Sequence, residues 1–300
     1  MKKDKVIFLL GPTGSGKTSL SVQMAKDFDG EIISADSVQV FKEFDVGSAK
    51  VTKEEMAGVT HYGIDIKSPT ERFSAGEYVA YTKACINEIV SKGKLPIIVG
   101  GTGLYVRALT EGYNFGGAER HDEFRNEIEE LISQKGLEYV VAILENENPA
   151  LASQIDKKNK VRVIRALEIS RFGEEKTTTE SDYDFKIFAT TMPREMLYSR
   201  INQRVDIMVE NGLIDEVKTL YDKYGDCQPM TAIGYKEVLP FLNGEIDKQT
   251  MLEKIKQNTR HYAKRQMTFL RGMDNVEYID VSKNDAYKNI KESVKIWLQN

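Results

Sequence analysis

The sequence predicts an α/β fold: a parallel sheet with helices on both faces, carrying an inserted, mainly helical subdomain. Three observations predict it. Short apolar or β-branched runs alternate with helical patterns along the chain. A glycine-rich stretch, GPTGSGKT at residues 11–18, directly follows the first apolar run. Between residues 112 and 184 the alternation breaks, and the chain there is charged and helical in pattern.

Strands are expected at residues 5–10, 31–35, 61–65, 96–99, 185–190 and 276–280, with helices such as 17–28 and 75–92 between them. The N-terminal MKKDKVIFLLG mimics a signal peptide, but its apolar run is short and leads into the glycine-rich stretch without a small-residue cleavage site. It reads as a strand of a cytoplasmic protein. The core is expected from residues 1–112 and 185–300, with residues 113–184 inserted. Gly116-Gly117 marks the entry and TTTESDYD the exit. The alternative is one continuous domain with long surface helices. Beyond Thr191 the pattern is helical almost to the end, interrupted by Pro229, Pro240 and Gly244.

With 41% hydrophobic and 29% charged residues, the composition argues against disordered and membrane classes. No apolar stretch approaches the roughly 20 residues that span a bilayer. Cys85 and Cys227 are too few for a disulfide framework, and three histidines make a His-based zinc site improbable. A net charge of −4 argues against a generic polyanion binder. Locally, however, the chain from Lys254 to Arg271 holds six Lys or Arg and no Asp or Glu.

Gly11, Pro12, Thr13, Gly14, Ser15, Gly16, Lys17 and Thr18 match G-x-x-x-x-G-K-[ST] in full, between a strand and a helix. The glycines let backbone N–H groups converge on an anion, and the helix N-terminus adds its dipole. Lys17 would neutralise phosphate oxygens, and Thr18 would place its hydroxyl on Mg²⁺. The sheet is thus P-loop NTPase-like. The motif does not name the phosphate. Phosphoryl-transfer relatives carry a second apolar strand ending in a magnesium-organising Asp. Here residues 95–99 end instead in Gly100-Gly101-Thr102-Gly103.

A carboxylate follows another strand, as Asp36 in EIISADSVQVF, at the sheet edge where open α/β folds bind ligands. Asp36 suits three roles: helix N-cap, Mg²⁺ ligand, or proton acceptor. Gln39 is a candidate for an adenine edge, or is simply solvated. His61 with Tyr62 reads as core packing. On a helix over residues 255–273, Lys256, Arg260, Lys264 and Arg271 form one stripe, opposite Ile255, Tyr262, Phe269 and Met273. A second basic patch, Lys157-Lys158-Asn159-Lys160 with Arg162 and Arg165, lies in the insertion. Two such patches fit a clamp on a phosphate backbone, and the bland alternative is solvated helix faces.

Together these pieces resemble the tRNA dimethylallyltransferase (isopentenyltransferase) family over nearly the whole chain. The matching stretches are GPTGSGKT, DSVQVF, VGSAK, HYGID, PIIVGGTGLY, RVIRALEI, PREMLYSRINQRVDIM, AIGYKE and TRHYAKRQMTFLR. The family pattern often has two His where this chain has His61-Tyr62, and Trp where it has Phe269. The resemblance implies that the cradle holds the diphosphate of dimethylallyl diphosphate. The prenyl group then goes to N6 of the adenosine 3′ of the anticodon. It implies Asp36 as base, Thr102 holding the base or the diphosphate, and Mg²⁺ held partly by Thr18; Arg204, within RINQRVDIM, is the candidate for an added cation on the diphosphate, or else a surface helix Arg. It implies tRNA contacts at Asp36, Ser37, Val38, Gln39 and Thr102, and at Val161, Arg162, Val163, Ile164 and Arg165. Further contacts are implied at residues 231–236 and at Lys264, Arg265, Gln266 and Arg271. The expected partners are the tRNA anticodon stem-loop and the isoprenoid donor, with no membrane and a monomeric chain.

Two rivals share the cradle. A P-loop small-molecule kinase would consume ATP and have no use for the basic stripe. An RNA-binding nucleotide switch would hydrolyse GTP or ATP and carry a magnesium Asp on the second strand.

Overall fold

The computed structural model describes residues 3–112, 121–173, 181 and 183–300. In chain order the elements are β1 Asp4–Leu10, α1 Lys17–Asp27, β2 Gly30–Ala35, α2 Lys53–Met56, β3 His61–Tyr62, α3 Ala75–Ser91, β4 Leu95–Gly100 and α4 Gly103–Thr110. Then follow α5 Asp122–Lys135, α6 Leu137–Glu147, α7 Pro149–Gln154, α8 Lys160–Phe172, β5 Tyr183–Thr191, α9 Arg194–Glu210 and α10 Leu213–Tyr224. A 3-10 turn at Gln228–Thr231 leads to α11 Val238–Leu242, α12 Lys248–Arg271, β6 Val276–Asp280 and α13 Ala286–Gln299.

The six strands are all parallel, in the order β3-β2-β4-β1-β5-β6. Parallel strands covered on both faces read as continuous apolar runs, and Val6 to Leu10 of β1 are all fully buried. Ile7, Leu9, Ile32, Ile97 and Phe188 form one core with Val22 and Met24 of α1 and Ile290 and Val294 of α13. Val6, Phe8 and Leu10 alternate to the other face, and α3 packs on β2 and β4. Capping boxes start α2 at Thr52 with Glu55, and α3 at Ser74 with Glu77. Asp247 caps α12 through Thr250 N.

The third strand is shorter than the expected 61–65. Gly63 at φ 78° and Asp65 at φ 56° turn the backbone left-handed, so pairing stops at Tyr62. The fifth starts earlier than expected: Tyr183 and Asp184, read as insertion, pair with Asp4 and Lys5. The chain divides into two compact units, Met1–Thr110 with Ser181–Asn300, and Glu111–Glu180. Gly116-Gly117 and most of TTTESDYD lie outside the described residues. The second unit is helical, with Phe124, Ile128, Val140, Leu144, Val163, Ile164 and Leu167 at its core. Glu168 is buried there as well, accepting from Arg125 Nε at 2.9 Å and Nη2 at 2.5 Å, from His121 N at 3.1 Å, and from Arg165.

Candidate active site

Sheet register brings the expected loops together. Leu10, Ala35 and Gly100 lie on one rung, because Leu10 pairs with Gly100 and Gly100 with Ala35. Gly11, Asp36 and Gly101 are therefore the first residues beyond three neighbouring strands, at the carboxyl edge. Close approach needs glycine here: a Cβ on Gly100 would lie 2.3 Å from Ala35 O.

The cradle is built from its own sequence and fixed from behind. A Cβ on Gly11 would sit 1.9 Å from Thr190 Oγ1. Gly14 and Gly16 adopt φ of 80° and 81°, a region glycine enters without a Cβ clash, and Gly16 opens α1. Buried Ser15 donates to Pro12 O at 2.8 Å and lies 2.6 Å from Thr190 Oγ1. Gln266 of α12 straps two loops together. Its Oε1 accepts from Thr13 N at 3.0 Å, and its Nε2 donates to Gly101 O at 3.1 Å. Gln266 is buried, so the structure makes it a strut and not a surface for RNA.

Lys17 folds back over the loop, donating to Gly11 O at 2.9 Å and Pro12 O at 2.8 Å. Burial pulls its pKa down to about 7, the nearby Arg204 cation adds to this, and Asp36 opposes it. Burial likewise lowers Arg204, against the charges of Asp36 and Glu55. Lys17, Arg204 and Asp36 thus share one electrostatic neighbourhood, although Arg204 comes from α9, far away in sequence. One turn before it, the Arg200 guanidinium passes Gly16, with Nη1 3.8 Å from where a Cβ would be. Sequence reading missed Arg200. Its signal was the i,i+4 spacing from Arg204 within SRINQR.

No helix begins at Asp36, so the expected N-cap is replaced by a turn that one carboxylate oxygen closes. Oδ1 accepts from Val38 N at 2.8 Å and Gln39 N at 3.2 Å, which turns the backbone and aims the carboxylate. Oδ2 makes no hydrogen bond among the described residues. The Gln39 amide is committed elsewhere: Nε2 donates to Ser48 O at 3.3 Å and Ala49 O at 3.2 Å, in place of the expected adenine edge. Ser37 and Val38 are half-buried on the same turn. Thr102 N donates to Ala35 O at 3.3 Å, tying the glycine turn to β2. Tyr262, placed by the helical pattern on the packing side, also belongs here. Burial and the Asp36 charge push its pKa up to about 12, while hydrogen bonds to Thr102 and Gln266 oppose that rise.

The basic helix divides its cations. Lys256 pairs with Asp206 at 2.7 Å, and Arg260 donates to Asn202 Oδ1 at 2.7 Å, so half of the expected stripe docks α12 on α9. Lys264, Arg265 and Arg271 are exposed, with His261 and Thr268 beside them. Phe269, where the family pattern often has Trp, packs on Gly103 and lies 5.0 Å from the Arg107 guanidinium.

The helical unit corrects its own candidates. Val161 is 70% exposed and Arg162 is exposed, but Val163 and Ile164 are core residues that RNA cannot reach. Arg165 is half-buried and paired with Glu168.

The donor set also bears on Mg²⁺. Among the described residues no three His, Cys, Asp or Glu gather into a metal cage. An exposed Thr18 hydroxyl and one carboxylate suit a hard cation that keeps waters and shares phosphate oxygens.

A glycine cradle with two cations after β1, a carboxylate after β2 at the same sheet edge, and a β4 between them that ends without one define a P-loop-like α/β protein. The family model described as IPP transferase matches residues 39–273. A tRNA dimethylallyltransferase of Streptococcus agalactiae is 42% identical over 301 residues, covering 99% of both chains. One from Bacillus anthracis is 42% identical over 307 residues, covering 100% of this chain and 98% of the relative. The crystal structure of the tRNA isopentenylpyrophosphate transferase of Bacillus halodurans matches with a TM-score of 0.77 at 42% identity, over 99% of this chain and 97% of that one. A eukaryotic dimethylallyltransferase acting on tRNA matches with a TM-score of 0.80 at 28% identity, over 96% and 77%. The chain belongs to the IPP transferase family.

Proposed function

We propose that this chain transfers the dimethylallyl group of dimethylallyl diphosphate to N6 of the adenosine 3′-adjacent to the anticodon of tRNA, releasing diphosphate. Family membership supports the prenyl transfer. The observation that carries the chemistry is Asp36, level with the cradle at the sheet edge, one strand removed from it, and in the field of Lys17 and Arg204. A carboxylate there sits where an acceptor meets the donor.

An exocyclic amine conjugated to a purine is a weak nucleophile. Asp36 Oδ2 accepts its proton as N6 bonds to the allylic carbon and the C–O bond to diphosphate breaks. General-base help of this kind is worth roughly 10²–10⁴-fold. Negative charge grows on the leaving diphosphate. The loop N–H groups, Lys17, Arg204 and Arg200 meet it with fixed dipoles and cations. Mg²⁺, held partly by Thr18 and the diphosphate itself, would add Lewis-acid stabilisation of the same charge. Thr102 and Tyr262 support the acceptor side, where the adenosine must be turned out of its stack at a cost of a few kcal/mol.

The tRNA contacts we assign are Ser37 and Val38 with the exposed cations Lys264, Arg265 and Arg271 in the sheet-bearing unit and, separately, Val161 and Arg162 in the helical unit. No helix among the described residues is long and apolar enough to cross a membrane. The reading includes a cytoplasmic, monomeric enzyme. The test is direct: unmodified tRNA with radiolabelled dimethylallyl diphosphate and Mg²⁺, without ATP. Label should enter the RNA. RNA left unlabelled, with a metabolite phosphorylated in a parallel incubation that contains ATP, would establish the kinase rival.

A further inference from the structure

We infer that Glu216 of α10 is a positioning residue for Asp36, acting through the long loop of residues 36–50. The inference rests on the prenyltransferase reading above. The backbone of residues 45–47 curls so that three successive N–H groups converge, the arrangement that elsewhere binds an anion. Here the chain's own carboxylate fills it. Glu216 Oε2 accepts from Asp45 N at 3.2 Å and Val46 N at 2.7 Å, and Oε1 accepts from Gly47 N at 3.0 Å. Tyr235 donates its hydroxyl to the same Oε1 at 2.8 Å. Its fully buried ring seals the site, 4.9 Å from Phe44, and leaves no room for a side chain at Gly47, whose Cβ would lie 2.5 Å from the ring.

The next two residues pass the restraint on. Ser48 O and Ala49 O hold the Gln39 amide, and Gln39 N is one of the two donors that aim Asp36. A continuous path therefore runs from α10 through residues 45–49 and Gln39 to the carboxylate. Lys50 pins the loop at another point, bonding Phe41 O at 2.9 Å and the carboxylates of Asp45 and Asp65 at 2.6 Å each. Losing Glu216 should therefore loosen the loop rather than unfold it. The motifs VGSAK and AIGYKE, far apart in sequence, meet in this latch. The cradle is fixed by different contacts, through Thr190 and Gln266. Placement of the base and affinity for the diphosphate should therefore separate.

The test uses the full-length chain with Glu216→Gln, the milder Tyr235→Phe, Gln39→Ala, and the Glu216→Gln/Gln39→Ala double variant. In Glu216→Gln an amide NH₂ must oppose a donor. We expect kcat to fall roughly 10- to 100-fold, the cost of a base displaced by about an ångström. KM for dimethylallyl diphosphate should stay within about twofold. Amide exchange should accelerate at residues 38–39 and 45–49 and remain slow in β1. Tyr235→Phe should show the same signature more weakly. Gln39→Ala should match it, and the double variant should lose little more than either single one. An unchanged kcat despite faster loop exchange would overturn the inference. So would additive losses, or exchange accelerating in β1 together with the loop, which marks a merely structural role. Failure of the wild-type chain to label tRNA overturns the functional reading itself, and the positioning role with it.

Discussion

Lys17 and Glu168 are both charges taken partly or wholly out of water, and the molecule treats them in opposite ways. Glu168, inside the helical unit, meets two guanidinium groups and a backbone N–H. Burial alone would raise its pKa, but those partners overcome it and hold the carboxyl at about 2. Lys17, in the cradle, has two backbone carbonyls and a repelling Arg204, and its pKa falls to about 7. One charge is satisfied within the fold. The other is left short of negative charge. The difference separates a charge the fold satisfies from one it leaves underpaired, the pattern expected of a group that binds a ligand.

The largest effect is expected at the carboxylate beside the cradle. Asp36→Ala should lower the transfer rate by roughly 10²–10⁴-fold. tRNA binding, measured by filter retention, should be largely intact. Loss of both together would make Asp36 a structural residue only. Next comes Glu168→Ala, which strands Arg125 and Arg165 without their counter-charge. It should cost about 3 kcal/mol of stability, read by denaturant unfolding, with exchange accelerating across residues 121–172. The acid dependence has a definite sign. The Glu168 contribution is fully present above the ordinary carboxylate range and fades as pH falls toward about 2. Lys17→Met should do the reverse of Glu168→Ala. Removing a charge that the fold disfavours should leave the melting temperature unchanged or raised. KM for the donor should rise at least tenfold, the effect of losing about 1.4 kcal/mol of charge-assisted bonding. A Lys17→Met protein that melts early yet binds donor normally would erase the contrast.

The glycine loop and the strands around it were legible because their pattern is local, whereas Asp36 alone left three roles open and its role as base came from the resemblance. A phosphate loop needs its glycines in one run, and fully buried parallel strands need continuous apolar stretches. Arg204 was found only through the family resemblance, and Arg200 and Tyr262 escaped, because each enters the site from a helix distant in sequence. Helical periodicity also misjudged α12. It sorts residues into two faces, whereas this helix meets α9 along one line and the cradle along another. Lys256 and Arg260 read as solvent cations but pair with Asp206 and Asn202. Gln266 was assigned to RNA only by the resemblance, and Gln39 was read as an adenine contact or a solvated side chain, because an isolated glutamine gives no sign of which backbone groups will claim its amide. Val163 and Ile164 carried that sign in their apolar side chains, and the family motif drew attention away from it.

The smallest effect is expected in the proton balance of Lys17. A lysine with a pKa near 7 is about half protonated at neutral pH. A diphosphate placed beside it favours the charged form and raises that pKa, so binding must take up a proton. Calorimetry in buffers of different ionisation enthalpy should show uptake of about half a proton at pH 7, little at pH 6, and close to one at pH 8.5. By the same linkage, affinity should be flat below about pH 7 and decline above it. The decline should continue until the pKa of the bound state is reached. The diphosphate titrates as well, so the lysine's share is the part that disappears in Lys17→Met. If that variant showed the same uptake as the parent, Lys17 would already be charged in the free protein, and its distinction from Glu168 would be lost.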